Sequence, residues 1–146
     1  MDSSVCLYSD RQPELDALVA LYDAVGWSAY TQRPDRLQAA IQGSHVVVTA
    51  WVAQALVGLA RTISDGVSIV YIQDILVHPD QQGKDVGQAL VREIFRHYPD
   101  VRQKVLLTDD RPEQLRFYER LGFHNTRNLS QTPLNAFVII EGATLS

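Results

Sequence analysis

The order of hydrophobic patterns along the chain predicts an α/β fold, an α+β mixed sheet of about 6–7 strands with helices on both faces. Three observations carry this expectation. Long β-branched runs in the middle of the chain follow one another through tight turns, as antiparallel strands do. A strand, a helix and a buried strand come next, and that sequence makes a crossover connection. Segments with apolar residues at i, i+3, i+4 and i+7 flank both regions and supply the covering helices.

The elements follow in order. "VCLYS" is the first strand candidate. From Pro13 to Val25, apolar residues at Leu15, Leu18, Val19, Tyr22 and Val25 mark an amphipathic helix, with Pro13 suited to its first turn and Gly26 to its stop. "PDRLQAAIQ" is a shorter helix between Pro34 and Gly43. "HVVVTAWVA" and "LVGLARTIS" read as strands joined by a turn near Gln54. Asp65-Gly66 is a hairpin signal leading into "VSIVYIQDILV", Val67 to Val77. That run exceeds the usual strand of roughly 5–6 residues, which predicts a bulge or bend within it. Val86 to about Tyr98 is a helix with apolar Val86, Leu90, Val91, Ile94 and Phe95. "KVLLTD" is a buried-type strand, and "RPEQLRFYERLG" is a helix with Pro112 early and Gly122 as its stop. "FHNTRN" and "NAFVII" are the last strand candidates.

Composition narrows the function. The chain has 146 residues, 46% hydrophobic and 21% charged, which fits one soluble domain over residues 1–146. No apolar run approaches the roughly 20 residues of a membrane span, and no signal peptide is visible, so a cytoplasmic location and no membrane partner are expected. A single cysteine, Cys6, excludes an internal disulfide and a multi-thiolate zinc site, and its place in an apolar strand predicts a buried small hydrophobe. The net charge is −4 with no Lys/Arg cluster, which argues against nucleic acid. The four histidines are scattered, so no metal is expected.

The segment "HPDQQGKDVGQALV", His78 to Val91, joins a strand end to a helix start through a glycine-containing loop. Free N–H groups at a helix N-terminus bind phosphate oxygens, and Gly83 and Gly87 allow close backbone approach. Lys84 adds a cation. The spacing matches neither a Walker A loop nor the Rossmann fingerprint. By itself the segment is either a phosphate cradle or a turn before a capped helix.

About 30 residues further on, "RFYERLGF" places Tyr118 inside a helix ahead of a glycine. Together, "ILVHPDQQGKDVGQALV" and "FYERLGF" resemble the two hallmark segments of the GNAT superfamily of acyl-CoA-dependent N-acetyltransferases. The element order from Val5 to Ile140 is similar to that fold as well. "LYDAVGW" with "VSIVYIQDILV" resembles the small stand-alone bacterial members. The resemblance implies a mostly antiparallel central sheet with a splay after the fourth strand. It implies acetyl-CoA as cosubstrate, no metal, a small-molecule or peptide amine as acceptor, and a possible homodimer.

Site residues follow from the same resemblance. The family loop reads Q/R-x-x-G-x-G/A, and Gln82, Gly83, Lys84, Asp85, Val86 and Gly87 would hold the coenzyme pyrophosphate, mostly through main chain. Asp85 departs from the usual glycine. It tolerates left-handed backbone and is a preferred N-cap, but its charge opposes a pyrophosphate. Leu76 and Val77, at the strand end, would bind the pantetheine arm and the acetyl carbonyl. Tyr118 would protonate the leaving thiolate; a helix tyrosine packed on the core is the other reading. Arg111 and Gln114 depart from the family's Asn and Ala at the start of that helix.

Asp74 is an acid inside an apolar strand, where an unpaired carboxylate is costly. It is therefore either a base or cation site for the acceptor amine, or an acid that is structurally paired or turned to solvent. Gln73 faces the opposite side if the strand is regular, and a bulge would exchange their roles. Trp27 and Tyr30 either line an acceptor pocket or pack on the core. An acetyl-CoA-dependent N-acetyltransferase working by direct transfer in a ternary complex is the function expected. A non-catalytic acyl-CoA-binding or sensing module of the same fold is the alternative.

Overall fold

The computed structural model describes residues 4–143 and 145. They fall into two units that divide after Leu107, and each is described by itself.

The first unit is built on one sheet. Its strands are β1 (Cys6–Tyr8), β2 (Val47–Val52), β3 (Ala55–Ser64), β4 (Ile69–Val77) and β5 (Gln103–Val105), in that spatial order. β1 to β4 pair antiparallel, and β5 joins β4 in parallel. The β2–β3 turn places Ala53 at φ 52, and the β3–β4 turn places Gly66 at φ 76. The Asp65 carboxylate accepts from the N–H groups of Val67, Ser68 and Ile69, which holds Val67 and Ser68 in the turn and starts β4 at Ile69. The Ser68 hydroxyl's hydrogen bond to Asp65 first, then these backbone bonds, keep the Asp65 carboxyl well below the usual carboxylate range.

Helices cover both faces. α1 (Leu15–Ala24) and α3 (Pro34–Gln42) bury Leu18, Leu21, Tyr22, Leu37 and Ile41 against Leu59 and Leu76 of the sheet. A four-residue helix, α2 (Ser28–Thr31), connects them. α4 (Val86–His97) buries Val86, Leu90, Val91 and Ile94 on the other face. A Cβ at Gly58 would come 3.2 Å from Leu90 Cδ1, so the missing side chain lets α4 lie close to β3. The Tyr98 hydroxyl, just after α4, lies 2.6 Å from Thr62 Oγ1 and closes that end of the layer.

The expected bulge is present. Arg61 pairs with Asp74 but Thr62 pairs with Ile72, so Gln73 is the extra residue of β4. The splay is present too. β4 pairs with β5 only over Ile69 to Tyr71, and beyond Tyr71 its edge has no strand partner among the described residues.

The second unit holds α5 (Pro112–Arg120) and a 3-10 turn at Thr126–Asn128. α5 ends in a Schellman motif: Gly122, at φ 99, donates to the Glu119 carbonyl, and the Phe123 N–H reaches the Tyr118 carbonyl.

Three expectations need correction. The sheet has five strands among the described residues, not six or seven. "FHNTRN" forms the 3-10 turn, and "NAFVII" pairs with no strand; Phe137 is 92% and Ile139 90% exposed. Apolar β-branched composition signals fitness for a ladder, but a strand exists only where a partner takes its backbone hydrogen bonds. Cys6 is exposed, not buried, because β1 is an edge strand.

Candidate active site

The β4 bulge gathers a polar cluster inside the first unit. Asp74 is buried, and its oxygens carry three hydrogen bonds. Arg61 Nε donates to Oδ2 at 2.7 Å, the Tyr22 hydroxyl donates to Oδ2 at 2.9 Å, and the Tyr30 hydroxyl donates to Oδ1 at 3.1 Å. Tyr30 in turn accepts from Arg61 Nη2 at 3.3 Å and from Gln73 Nε2 at 3.4 Å. Gln73 and Asp74 therefore both reach Tyr30, because the extra residue sets neighbouring side chains toward one hydroxyl instead of opposite faces. Gln73 is exposed and Tyr30 half-buried, so these two form the accessible side of the cluster.

Local structure fixes the tyrosines. α1 ends in its own Schellman motif, in which Gly26, at φ 82, donates to Asp23 and the Trp27 N–H reaches the Tyr22 carbonyl. The accompanying contact is the Tyr22–Trp27 pair, with ring centroids 5.9 Å apart. Tyr30 packs edge-on to Tyr22 at 5.0 Å. Trp27 thus sets the position of Tyr22 and packs against the core.

Electrostatics agree with the geometry. Burial first, then the charge of Asp74 and the hydrogen bond to it, push the Tyr22 phenol far above its ordinary range, so it stays a donor. Burial alone would lower the Arg61 guanidinium, but its hydrogen bond to Asp74 and that carboxylate's charge outweigh burial and leave it raised. Arg61 and Asp74 form a neutral pair. A carboxylate so fully engaged holds its neighbours in place.

At the end of β4 the chain enters the glycine loop. Leu76 is buried in the core, and Val77 is half-buried beside the open edge. The Gln82 side chain donates to the Val77 carbonyl at 3.1 Å and ties the loop to the strand end. His78 Nδ1 accepts from the Asp80 N–H at 3.1 Å, which holds the first turn after β4. Gly83 is at φ 78 and Asp85 at φ 63, both in the left-handed region. Asp85 occupies the N-cap position of α4, but its side chain makes no capping hydrogen bond. It is exposed, as are Gln82, Gly83 and Lys84, while Val86 is buried and Gly87 half-buried. The first hydrogen bond of α4 runs from the Ala89 N–H to the Asp85 carbonyl at 3.0 Å. The N–H groups of Gly87 and Gln88 precede it and project from the helix end. These donors and the glycine suit a phosphate ester, and Lys84 is the loop's one cation.

In the second unit, Tyr118 stands three positions before the α5 cap, and its ring meets Phe123 at 88° and 5.9 Å. The last three residues of "FYERLGF" are therefore a helix stop that orients the tyrosine. Burial, with the negative charge of Asp109, pushes its phenol up to about 12.

Sequence reasoning missed Arg61 and the polar role of Tyr22. Arg61 stood in plain view, a charge inside the apolar run "LVGLARTIS" just as Asp74 stands inside "YIQDILV". Two opposite charges in adjacent strands signal a buried pair. Tyr22 fitted the apolar stripe of its helix, and nothing in the spacing marked its hydroxyl. Among the described residues no group of side chains is arranged to hold a metal ion, and no helix is long and apolar enough to cross a membrane.

Comparison with known proteins addresses the same features. The acetyltransferase (GNAT) domain family matches residues 17–132, a span that includes the bulge, the loop and α5. An uncharacterized N-acetyltransferase, ycf52, of Gracilaria tenuistipitata var. liui is 34% identical over 127 residues, covering 82% of this chain and 67% of its own. A GNAT-family acetyltransferase of Streptococcus pneumoniae TIGR4 superposes with a TM-score of 0.74 at 26% identity, covering 91% of this chain and 98% of its own. AAC(6')-Iy, solved with the bisubstrate analog CoA-S-monomethyl-acetylneamine, shares the fold at a TM-score of 0.69 and 14% identity, over 92% of this chain and all of its own. The chain belongs to the GNAT superfamily and is an N-acetyltransferase.

Proposed function

We propose that the chain moves the acetyl group of acetyl-CoA to a primary amine by direct transfer in a ternary complex, and that both units act as one cytoplasmic catalytic domain. The observation that carries this reading is the arrangement along β4. A bulge bearing Gln73 and Asp74, an edge without a strand partner among the described residues and a phosphate-suited loop succeed one another along β4. The coenzyme pyrophosphate is assigned to the loop from Gln82 to Gly87. Its pantetheine arm is assigned to the open edge at Leu76 and Val77, where main-chain groups polarise the acetyl carbonyl.

The acceptor nitrogen is assigned to the accessible side of the bulge, at Tyr30 and Gln73. Asp74 acts as a positioning group that fixes the Tyr30 hydroxyl. The ammonium proton leaves to water, since the carboxylate is already engaged by three donors. The free amine attacks the thioester carbon, a C–N bond forms, the C–S bond breaks, and Tyr118 gives its phenolic proton to the departing thiolate.

An acceptor screen following free thiol release from acetyl-CoA tests this. Transfer to at least one amine is expected, with Tyr118→Phe slowed by about 10²-fold or more in kcat. No acetyl-CoA binding by calorimetry overturns the reading, and a Tyr118→Phe variant with the full rate at every pH removes the acid role.

A further inference from the structure

The accessible ring of Tyr30 is also one wall of a cleft of about 330 Å³, lined by Ala29, Tyr30, Arg33, Arg36, Leu37 and Ala40. Its charge runs against that of the chain. The protein carries a net −4, yet the cleft wall holds two guanidiniums and no acid. Arg33 is the residue that precedes α3 and Arg36 lies in the first turn of that helix, and both line the cleft. Arg33 is only loosely engaged: its contact with Asp35 is 3.6 Å long between side chains 61% and 75% exposed. The Arg36 guanidinium has no acidic partner among the described residues. The remaining lining, Ala29, Leu37 and Ala40, is apolar.

The other side of Tyr30 faces the buried polar cluster. The one buried carboxylate there, Asp74, is neutralised by Arg61 and capped by two phenols. It offers no free negative charge to a cationic ligand. The cleft, with Tyr30 as its shared wall, offers two positive ones.

We propose that this cleft receives the acceptor, and that the acceptor is an amine carrying an anionic group, a carboxylate or phosphate, gripped by Arg33 and Arg36. Guanidiniums suit both groups because their donors match paired oxygens. The apolar lining takes the short stem between the two ends. This inference rests on the amine-acetylation reading above and adds the acceptor's chemical class.

The test pairs each anionic amine with its uncharged analogue: alanine with alaninamide, and phosphoethanolamine with ethanolamine. Thiol release from acetyl-CoA is followed with the wild type, Arg36→Ala and Arg33→Ala/Arg36→Ala. The expected result is a kcat/KM at least about 10-fold higher for one anionic member, lost in the double variant with coenzyme affinity unchanged. Which pair shows it separates carboxylate from phosphate. Equal rates within both pairs, or a preference for the uncharged member, overturn the proposal. N-acetylalanine and N-acetylalaninamide, O-phosphoethanolamine and ethanolamine are also titrated onto the protein by NMR. If acetyl-CoA binds but no amine is acetylated, direct transfer fails, and the titration alone judges the cleft. Binding of an anionic probe over its uncharged analogue, abolished in the double variant, sustains the anion site, and its absence overturns it.

Discussion

Arg61 Nε lies 2.7 Å from Asp74 Oδ2 across adjacent strands, and both side chains are almost wholly shielded from water. Such a pair pays heavily for desolvation, and its value lies in geometry more than in net stability. Here the geometry it holds is the Tyr30 hydroxyl, which bonds to both partners.

Arg61→Ala leaves a buried carboxylate without its counter-charge. A loss of about 3–5 kcal/mol is expected by chemical denaturation. Replacing both partners together, Arg61→Met with Asp74→Leu, should recover most of that stability while acetyl transfer stays impaired. A double variant as unstable as Arg61→Ala alone would mean that the pair itself stabilises the sheet.

Asp85 sits at φ 63 with no capping hydrogen bond. Asp85→Gly should therefore leave stability within about 1 kcal/mol, since relief of left-handed strain offsets the entropy cost of glycine. Its effect should appear in binding. Removing a carboxylate beside a pyrophosphate is worth roughly 1 kcal/mol, so the acetyl-CoA Kd should fall about fivefold in calorimetry. An unchanged Kd would place the Asp85 carboxylate away from the phosphates.

Gly26 and Gly122 end α1 and α5 at φ 82 and φ 99, and a Cβ at either meets nothing within 4 Å. The constraint is thus conformational, not steric crowding from neighbours. Gly26→Ala and Gly122→Ala should each cost about 1 kcal/mol or more in thermal or denaturant unfolding. Each should also loosen the tyrosine three positions before its cap, Tyr22 or Tyr118, detectable as altered aromatic near-UV circular dichroism. Unchanged spectra would separate the stop from the tyrosine's orientation.

Burial first, with the charge of Asp109, pushes the Tyr118 phenol up to about 12, above the ordinary value near 10. The folded state therefore holds this proton more tightly than the unfolded chain. Its contribution to stability is complete below about pH 10 and is lost as pH rises toward about 12. An ultraviolet tyrosinate titration should show a late transition that Tyr118→Phe removes. A transition near pH 10 that disappears in the variant would contradict the burial of this phenol.

The sequence by itself determined a good deal. The periodicity around Leu18 and Tyr22, and around Leu90 and Ile94, set the helices, because a 3.6-residue repeat buries one face wherever the helix docks. The excess length of "VSIVYIQDILV" set the bulge, and "FYERLGF" set a helix stop, because both are local chain geometry. Tertiary structure alone decided what those elements bring together. The bulge turned Gln73 and Asp74 toward one tyrosine, and Arg61, an adjacent-strand neighbour, gave the buried Asp74 its counter-charge. "NAFVII" has the composition of a strand but pairs with none among the described residues, since a ladder depends on a partner that no local pattern encodes. Partner identity is set by register and packing across many residues of separation, and these arise only when the sheet is assembled.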